Sequence, residues 1–284
     1  MTNIQTPSST PSTTDAPVWF ITGTSSGIGR ELALLALQRG DRVAALSRTG
    51  GSSRELVDEF GPQVLVLDVD VRDAGAVQRA VDLTVAAYGR IDVVANNAGY
   101  GLFGAVEEVS DEQARAIFDT NVFGVLNVLR ATLPVLRSQG FGHVLQGSSV
   151  YGQSAHAGVG LLSATKHAVE GLSDALAAEL APLGISVTLV EPGFTATAFL
   201  ANLDVAAPIS DYDQTVRVAQ QAIASAPASA FSDPADVAAL VLGLVGSGVP
   251  PVRFAVGTGA AETIGQALSD RLAQLHGTGT TAAA

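Results

Sequence analysis

The segment Gly23-Thr24-Ser25-Ser26-Gly27-Ile28-Gly29 restricts what this chain can fold into more than any other stretch. It follows a short apolar run, Val18–Thr22, and opens a helical pattern over residues 30–39. Small residues at this spacing let the chain turn tightly, and they let backbone N–H groups reach an anion at a helix N-terminus. The spacing is G-x-x-x-G-x-G rather than the more frequent G-x-G-x-x-G, and a plain glycine-rich turn is the competing reading. Position favours the anion site. The loop joins a first strand to a first helix, and a second strand follows at the distance expected of a strand–helix–strand unit that binds a dinucleotide pyrophosphate.

The rest of the chain repeats that alternation. Apolar runs at 43–46, 64–67, 91–95, 143–146, 185–190 and 252–256 read as further strands, unbroken by polar positions as in strands covered on both faces. Helical patterns occupy 74–88, 111–136, 161–180 and 234–244. Seven strands with helical crossovers make an α/β fold, a doubly wound seven-stranded parallel sheet in a single domain, with ligands beyond the carboxyl ends of the strands. Residues 1–17, rich in Ser, Thr and Pro, read as a disordered leader, 18–276 as the domain, and 277–284 as a flexible tail.

Composition excludes several functions. With no cysteine there are no disulfides, thiolate metal sites or cysteine nucleophiles. A net charge of −12 argues against nucleic acid as a partner. No apolar run suits a membrane span and no secretory signal is visible, which makes the cytoplasm the expected location. The four histidines are not spaced as metal ligands, so no metal is expected.

The end of the second strand chooses the dinucleotide. An acid there would bond the ribose 2′-hydroxyl of NAD and repel a 2′-phosphate. This chain has Ser47-Arg48 instead, and a guanidinium suits a phosphate, which predicts NADP(H). A merely solvated Arg48 is the alternative.

Taken in order, Thr22-Gly23-x-x-x-Gly27-Ile28-Gly29, Asn96-Asn97-Ala98-Gly99 after the fourth strand and Pro192-Gly193 after the sixth resemble the short-chain dehydrogenase/reductase superfamily. The resemblance runs from about Val18 to about Gln274 and implies a Rossmann-like fold and oxidoreductase activity. It places Ser25 and Ser26 in the phosphate loop, Asp68-Val69 against the adenine, and Asn97, Ala98 and Gly99 along the adenosine side. It puts Pro192, Gly193, Thr195 and Thr197 at the nicotinamide amide. Asn121 matches the asparagine that kinks the long helix and holds a water of the proton relay.

The family pairs a serine after the fifth strand with a tyrosine and a lysine four residues apart, a spacing that sets both on one helix face. The lysine charge lowers the phenol pKa, so that the tyrosine exchanges a proton with the substrate oxygen. Ser149 falls on the serine and Lys166, the only lysine in the chain, on the lysine. The tyrosine position holds Leu162.

Three readings follow. The chain transfers hydride to a carbonyl or imine using another proton source, with Tyr151 as a possible substitute donor and Tyr100 and His156 as weaker ones. Or it binds the cofactor for non-redox or regulatory use. Or the tyrosine was replaced by design. Tyr151 as a pocket wall is the competing role for that residue. Gly147 stands where the family carries a larger apolar residue, which predicts an enlarged pocket. Residues 194–232 resemble the variable substrate lid, and Phe194 and Phe199, with Tyr100, suggest a small hydrophobic substrate. A homodimer or homotetramer follows from the resemblance alone.

Overall fold

The computed structural model describes residues 16–49, 54–246 and 248–278. In chain order the elements are β1 Val18–Thr22, α1 Gly27–Gln38, β2 Arg42–Ser47, α2 Arg54–Phe60, β3 Val64–Asp68, α3 Ala74–Tyr88, β4 Val93–Asn96 and β5 Leu102–Phe103. Then come α4 Asp111–Phe118, a π-helical turn Asp119–Phe123, α5 Gly124–Gln139, β6 Gly142–Gly147, α6 Gly160–Leu180 and β7 Ile185–Pro192. The chain continues through α7 Ala198–Ala201, β8 Asp204–Val205, α8 Val218–Ala224, α9 Pro234–Leu244, β9 Arg253–Val256 and α10 Ala260–Thr278.

Seven strands form one parallel sheet in the order β3-β2-β1-β4-β6-β7-β9. Every residue of β1 is buried, because the sheet is covered twice. Val77 of α3, Val125 of α5 and Val169 of α6 pack one face around Phe20 and Val94. Leu32 of α1 and Val237 and Ala238 of α9 pack the other around Trp19 and Ile21. The strand order reverses between β1 and β4, and the crevice at that switch point is where ligands of such sheets bind.

Several boundaries differ from the sequence expectation. The helix expected over 111–136 is three pieces, and Asn121 lies in the π turn between α4 and α5. Such one-turn insertions bend a helix. The fourth strand starts at Val93, where pairing with Trp19 and His143 begins, and the last at Arg253. The sequence pattern missed α2, α10 and the two-stranded pairing of β5 with β8. Helix α10 runs through Thr278, into the segment read as the tail. The rest of that tail, and the leader before Ala16, lie outside the described residues. Among the described residues no helix is long and apolar enough to cross a membrane.

Candidate active site

Three chain segments meet at the carboxyl end of β1. Thr22 Oγ1 accepts the N–H groups of Asn97 (3.1 Å) and Ala98 (3.0 Å), fastening the stretch after β4 to the first strand. Gly23 has φ +75°, and a Cβ there would stand 2.9 Å from Ala98 Cα. At Gly29 a Cβ would lie 2.4 Å from Asn97 Nδ2 and 2.5 Å from the Gly23 carbonyl oxygen. On its outer side the loop meets the segment after β7, because a Cβ on Gly27 would stand 3.0 Å from Thr197 Cγ2. Ser26, the N-cap of α1, makes no side-chain capping bond, and it and Ser25 are exposed. The first-turn N–H groups, beside Ile28, are therefore left for an anion.

Beyond β2, Ser47 is buried and donates to the Thr49 carbonyl (3.0 Å), while Arg48 is exposed. At the neighbouring end of β3, Asp68 is exposed and buried Val69 donates its N–H to Ser47 O (2.8 Å). Two residues the sequence reading passed over complete this corner. Arg72, hydrogen-bonded to Asp70, holds that carboxyl below the usual carboxylate range, and Arg48 adds its field.

The residues expected to form the catalytic row lie one strand further along the sheet. The structure separates the two serines after β6. Ser148 is buried and donates to Glu170 Oε1, whereas Ser149 is partly exposed and its Oγ accepts the Tyr151 N–H (3.2 Å). Asn121 is buried, its Oδ1 accepting Tyr100 N–H (3.1 Å) and its Nδ2 donating to Tyr100 O (3.0 Å) and Thr165 Oγ1 (3.3 Å). Lys166 Nζ donates to Gly147 O (2.7 Å), and burial presses its amine down to about 8. A Cβ on Gly99 would lie 3.1 Å from Asn121 Oδ1 and 3.9 Å from Lys166 Nζ, so these three residues share one corner.

Leu162 is 3% exposed and packs with Leu102 and Ile117, with Tyr100 and Tyr151 against the same cluster. Gly147 does not open the pocket as its size suggested. A Cβ there would stand 2.8 Å from Asn96 O, so the glycine allows β4 and β6 to approach, and its carbonyl seats Lys166.

Tyr151 and His156 share a 2.6 Å hydrogen bond, and burial pushes the Tyr151 phenol upward. The Tyr151 ring meets Phe194 edge-on at 6.2 Å, and Phe194 meets Phe231 at 5.9 Å. Tyr151, His156, Gly193, Phe194 and Thr258 line a cleft of about 220 Å³. Thr195 Oγ1 donates to Gly193 O (3.1 Å), and Thr197 Oγ1 accepts the Phe199 N–H (3.2 Å), which fixes the turn after Pro192. A Cβ on Gly101 would lie 2.8 Å from the exposed Phe199 ring, so this part of the lid rests on the loop after β4.

Sequence reasoning also missed the polar supports. Buried Glu108 accepts the N–H groups of Ala105 (2.7 Å) and Ile209 (2.8 Å) and pairs with Arg217, pinning the lid. Burial works against its carboxylate, but those N–H groups and Arg217 outweigh it and keep the pKa low. Behind Ser148, Gln153 bridges Glu170 (3.0 Å) and Glu191 (3.2 Å), and burial and the Glu170 charge raise the Glu191 carboxyl. Residues so far apart in sequence give no local signal. Among the described residues no group of three or more His, Asp or Glu is arranged to hold a metal ion.

A profile described as short chain dehydrogenase matches residues 17–207. The chain is 38% identical over 252 residues to oxidoreductase BOA17 of Botryotinia fuckeliana, covering 88% of this chain and 92% of that protein. Among solved structures, a short-chain dehydrogenase from Streptomyces avermitilis superposes with TM-score 0.86 at 34% identity, over 93% of this chain and 96% of that one. A short-chain dehydrogenase/reductase from Burkholderia phymatum, in complex with NAD, matches with TM-score 0.78 at 26% identity, over 93% and 97%. ElxO with NADP bound matches with TM-score 0.70 at 25% identity, over 84% and 97%. The chain belongs to the short-chain dehydrogenase/reductase family, and its fold is that family's Rossmann-like sheet.

Proposed function

We propose that this chain is an NADP(H)-dependent oxidoreductase that moves hydride between the nicotinamide and a carbonyl or imine carbon of a hydrophobic small molecule. The observation that carries it is the corner in which Asn121 and Lys166 meet beside Gly99, with Lys166 seated on the carbonyl of Gly147, two residues before Ser149. The bound cofactor supplies the hydride. Ser149, partly exposed, orients the substrate oxygen by hydrogen bonding, and Lys166 holds the nicotinamide ribose from its seat on Gly147 O. Asn121, fixed to Tyr100 on both its amide atoms, anchors a water near Lys166. Phe194 and Tyr151 offer an aromatic wall to an apolar substrate.

Arg48 carries the preference for NADP(H). It is exposed past a strand end that lacks an acid, and the nearby Asp70 is engaged by Arg72. Fluorescence titration should find NADPH bound more tightly than NADH, and Arg48→Ala should weaken NADPH by about 10- to 100-fold. An equal loss for both cofactors would remove Arg48 from the 2′-phosphate.

A second reading, cofactor binding without redox turnover, draws support from Leu162, whose side chain lies in an apolar cluster with no proton to offer. NADPH oxidation over a panel of ketones and imines, by this chain and by Leu162→Tyr, separates the two. Binding without oxidation by either form would favour the second reading. A homodimer or homotetramer belongs to the same proposal, and sedimentation velocity checks it.

A further inference from the structure

We propose that Tyr151, backed by His156, supplies the proton that Leu162 cannot. The inference rests on the reductase reading above. Adding hydride to a carbonyl carbon leaves negative charge on the oxygen, and a nearby acid must neutralise it.

Of the chain's four tyrosines, Tyr88 donates its hydroxyl to Pro62 O (3.3 Å), and Tyr212, which packs on a cluster shared with Tyr151, commits its hydroxyl to Glu107. Tyr100 is beside the row through its backbone, bonded on both sides to Asn121. Tyr151 alone among them lines the cleft of about 220 Å³ that Gly193 and Phe194 also border. Its N–H is held by Ser149 Oγ, the group expected to receive the substrate oxygen, and its ring packs on the cluster that contains Leu162. The acid is displaced by two residues from the serine instead of standing across from it on α6.

His156 makes the phenol a relay rather than a wall. Its Nδ1 faces Ala157 O at 2.9 Å, which fixes the proton on Nδ1 and turns the Nε2 lone pair toward the Tyr151 hydroxyl at 2.6 Å. While Nε2 is unprotonated the phenol donates to it. When Nε2 takes a proton from solvent, to which His156 is exposed, the bond reverses and the phenol O–H is released toward the cleft. The balance is complete. Hydride adds to the carbonyl carbon, the π pair moves to oxygen, that oxygen takes the Tyr151 proton, and imidazolium His156 returns a proton to the phenolate. The reduced nicotinamide is the only reductant consumed. Burial keeps the phenol protonated until an alkoxide forms to take its proton.

The test combines steady-state NADPH oxidation over a ketone panel with NMR of the imidazoles in ligand-free protein. Tyr151→Phe should lower kcat by roughly 10²- to 10⁴-fold with little change in KM. His156→Asn should lower it less, and Leu162→Tyr/Tyr151→Phe should recover the rate. In the ligand-free protein the His156 Nε2 resonance should lose its hydrogen-bonded chemical shift in Tyr151→Phe. Full turnover by Tyr151→Phe, or a His156 Nε2 resonance unchanged by it, overturns the relay and leaves the reductase reading standing. Activity in Leu162→Tyr but none in the leucine form also overturns it. No NADPH oxidation by either form sinks both.

Discussion

The floor of the crevice and the wall of the cleft are built by different means. On the floor, glycine backbone is closely covered: Gly23 lies against the Ala98 backbone, Gly29 against the Asn97 amide and the Gly23 carbonyl, and Gly27 against the Thr197 side chain, so that a side chain at any of the three has no room. On the wall, side chain meets side chain: Leu162 against Leu102 and Ile117, Tyr151 against Phe194, and Arg217 against Glu108 under the lid. A backbone contact cannot rearrange without moving a strand, whereas a packed side chain can be exchanged for another of similar volume. The floor therefore keeps its sequence pattern. The wall can take leucine at position 162 without harm to the fold.

That contrast should appear first at Gly29. One methyl group there meets Asn97 and the Gly23 carbonyl, so Gly29→Ala should cost about 1–3 kcal/mol or more. It should also remove measurable NADPH binding, read by thermal unfolding and fluorescence titration. Retained affinity would show that the floor yields after all.

His143, on β6 at the far end of the sheet from the crevice, serves as a control for stability alone. Burial holds its imidazole at about 4, below the ordinary 6.5. The unfolded chain then binds the proton first, so stability is full above pH 6.5 and declines as pH falls toward 4. The decline from this group is on the order of 2–3 kcal/mol. Urea unfolding across that range should show it, and His143→Gln should flatten it while NADPH binding at pH 7 stays unchanged.

On the wall, Leu162→Met keeps the volume and should cost less than about 1.5 kcal/mol in chemical unfolding. A larger loss would mean that the cluster is as unforgiving as the floor. The smallest effect is expected from Arg217→Met. It removes the cation from Glu108 and loosens the lid, raising the substrate KM by roughly three- to tenfold with NADPH affinity intact. Loss of NADPH binding in this variant would join the two regions that the geometry keeps apart.

The floor was legible because each of its requirements is local. Gly23, Gly27 and Gly29 lie within one turn of chain, Arg48 stands where an acid would be read, and apolar strand runs announce a sheet covered on both faces. Lys166 stood out as a lone lysine four residues after the leucine. The wall was legible only in part. Gly147 misled, because the neighbour that demands a glycine there is Asn96 O on another strand, about fifty residues away. The helix break at Asn121 was expected, but its form as a π turn was not. Glu108 with Arg217, and Gln153 between Glu170 and Glu191, join residues that no periodicity links.

By itself the sequence determined the parallel sheet, the tight glycine turn between β1 and α1, the family and the absence of a phenol at position 162. Each follows from residue type and short-range spacing, which fix backbone conformation and burial. Only the tertiary structure decided which serine is buried on Glu170, what surrounds Leu162 and which phenol pairs with a histidine. Those are matters of distance between segments far apart in the chain, and packing sets them. The gap in the catalytic row could be read from the letters, but the Tyr151–His156 pair beside it appears only once β6 and α6 are in place.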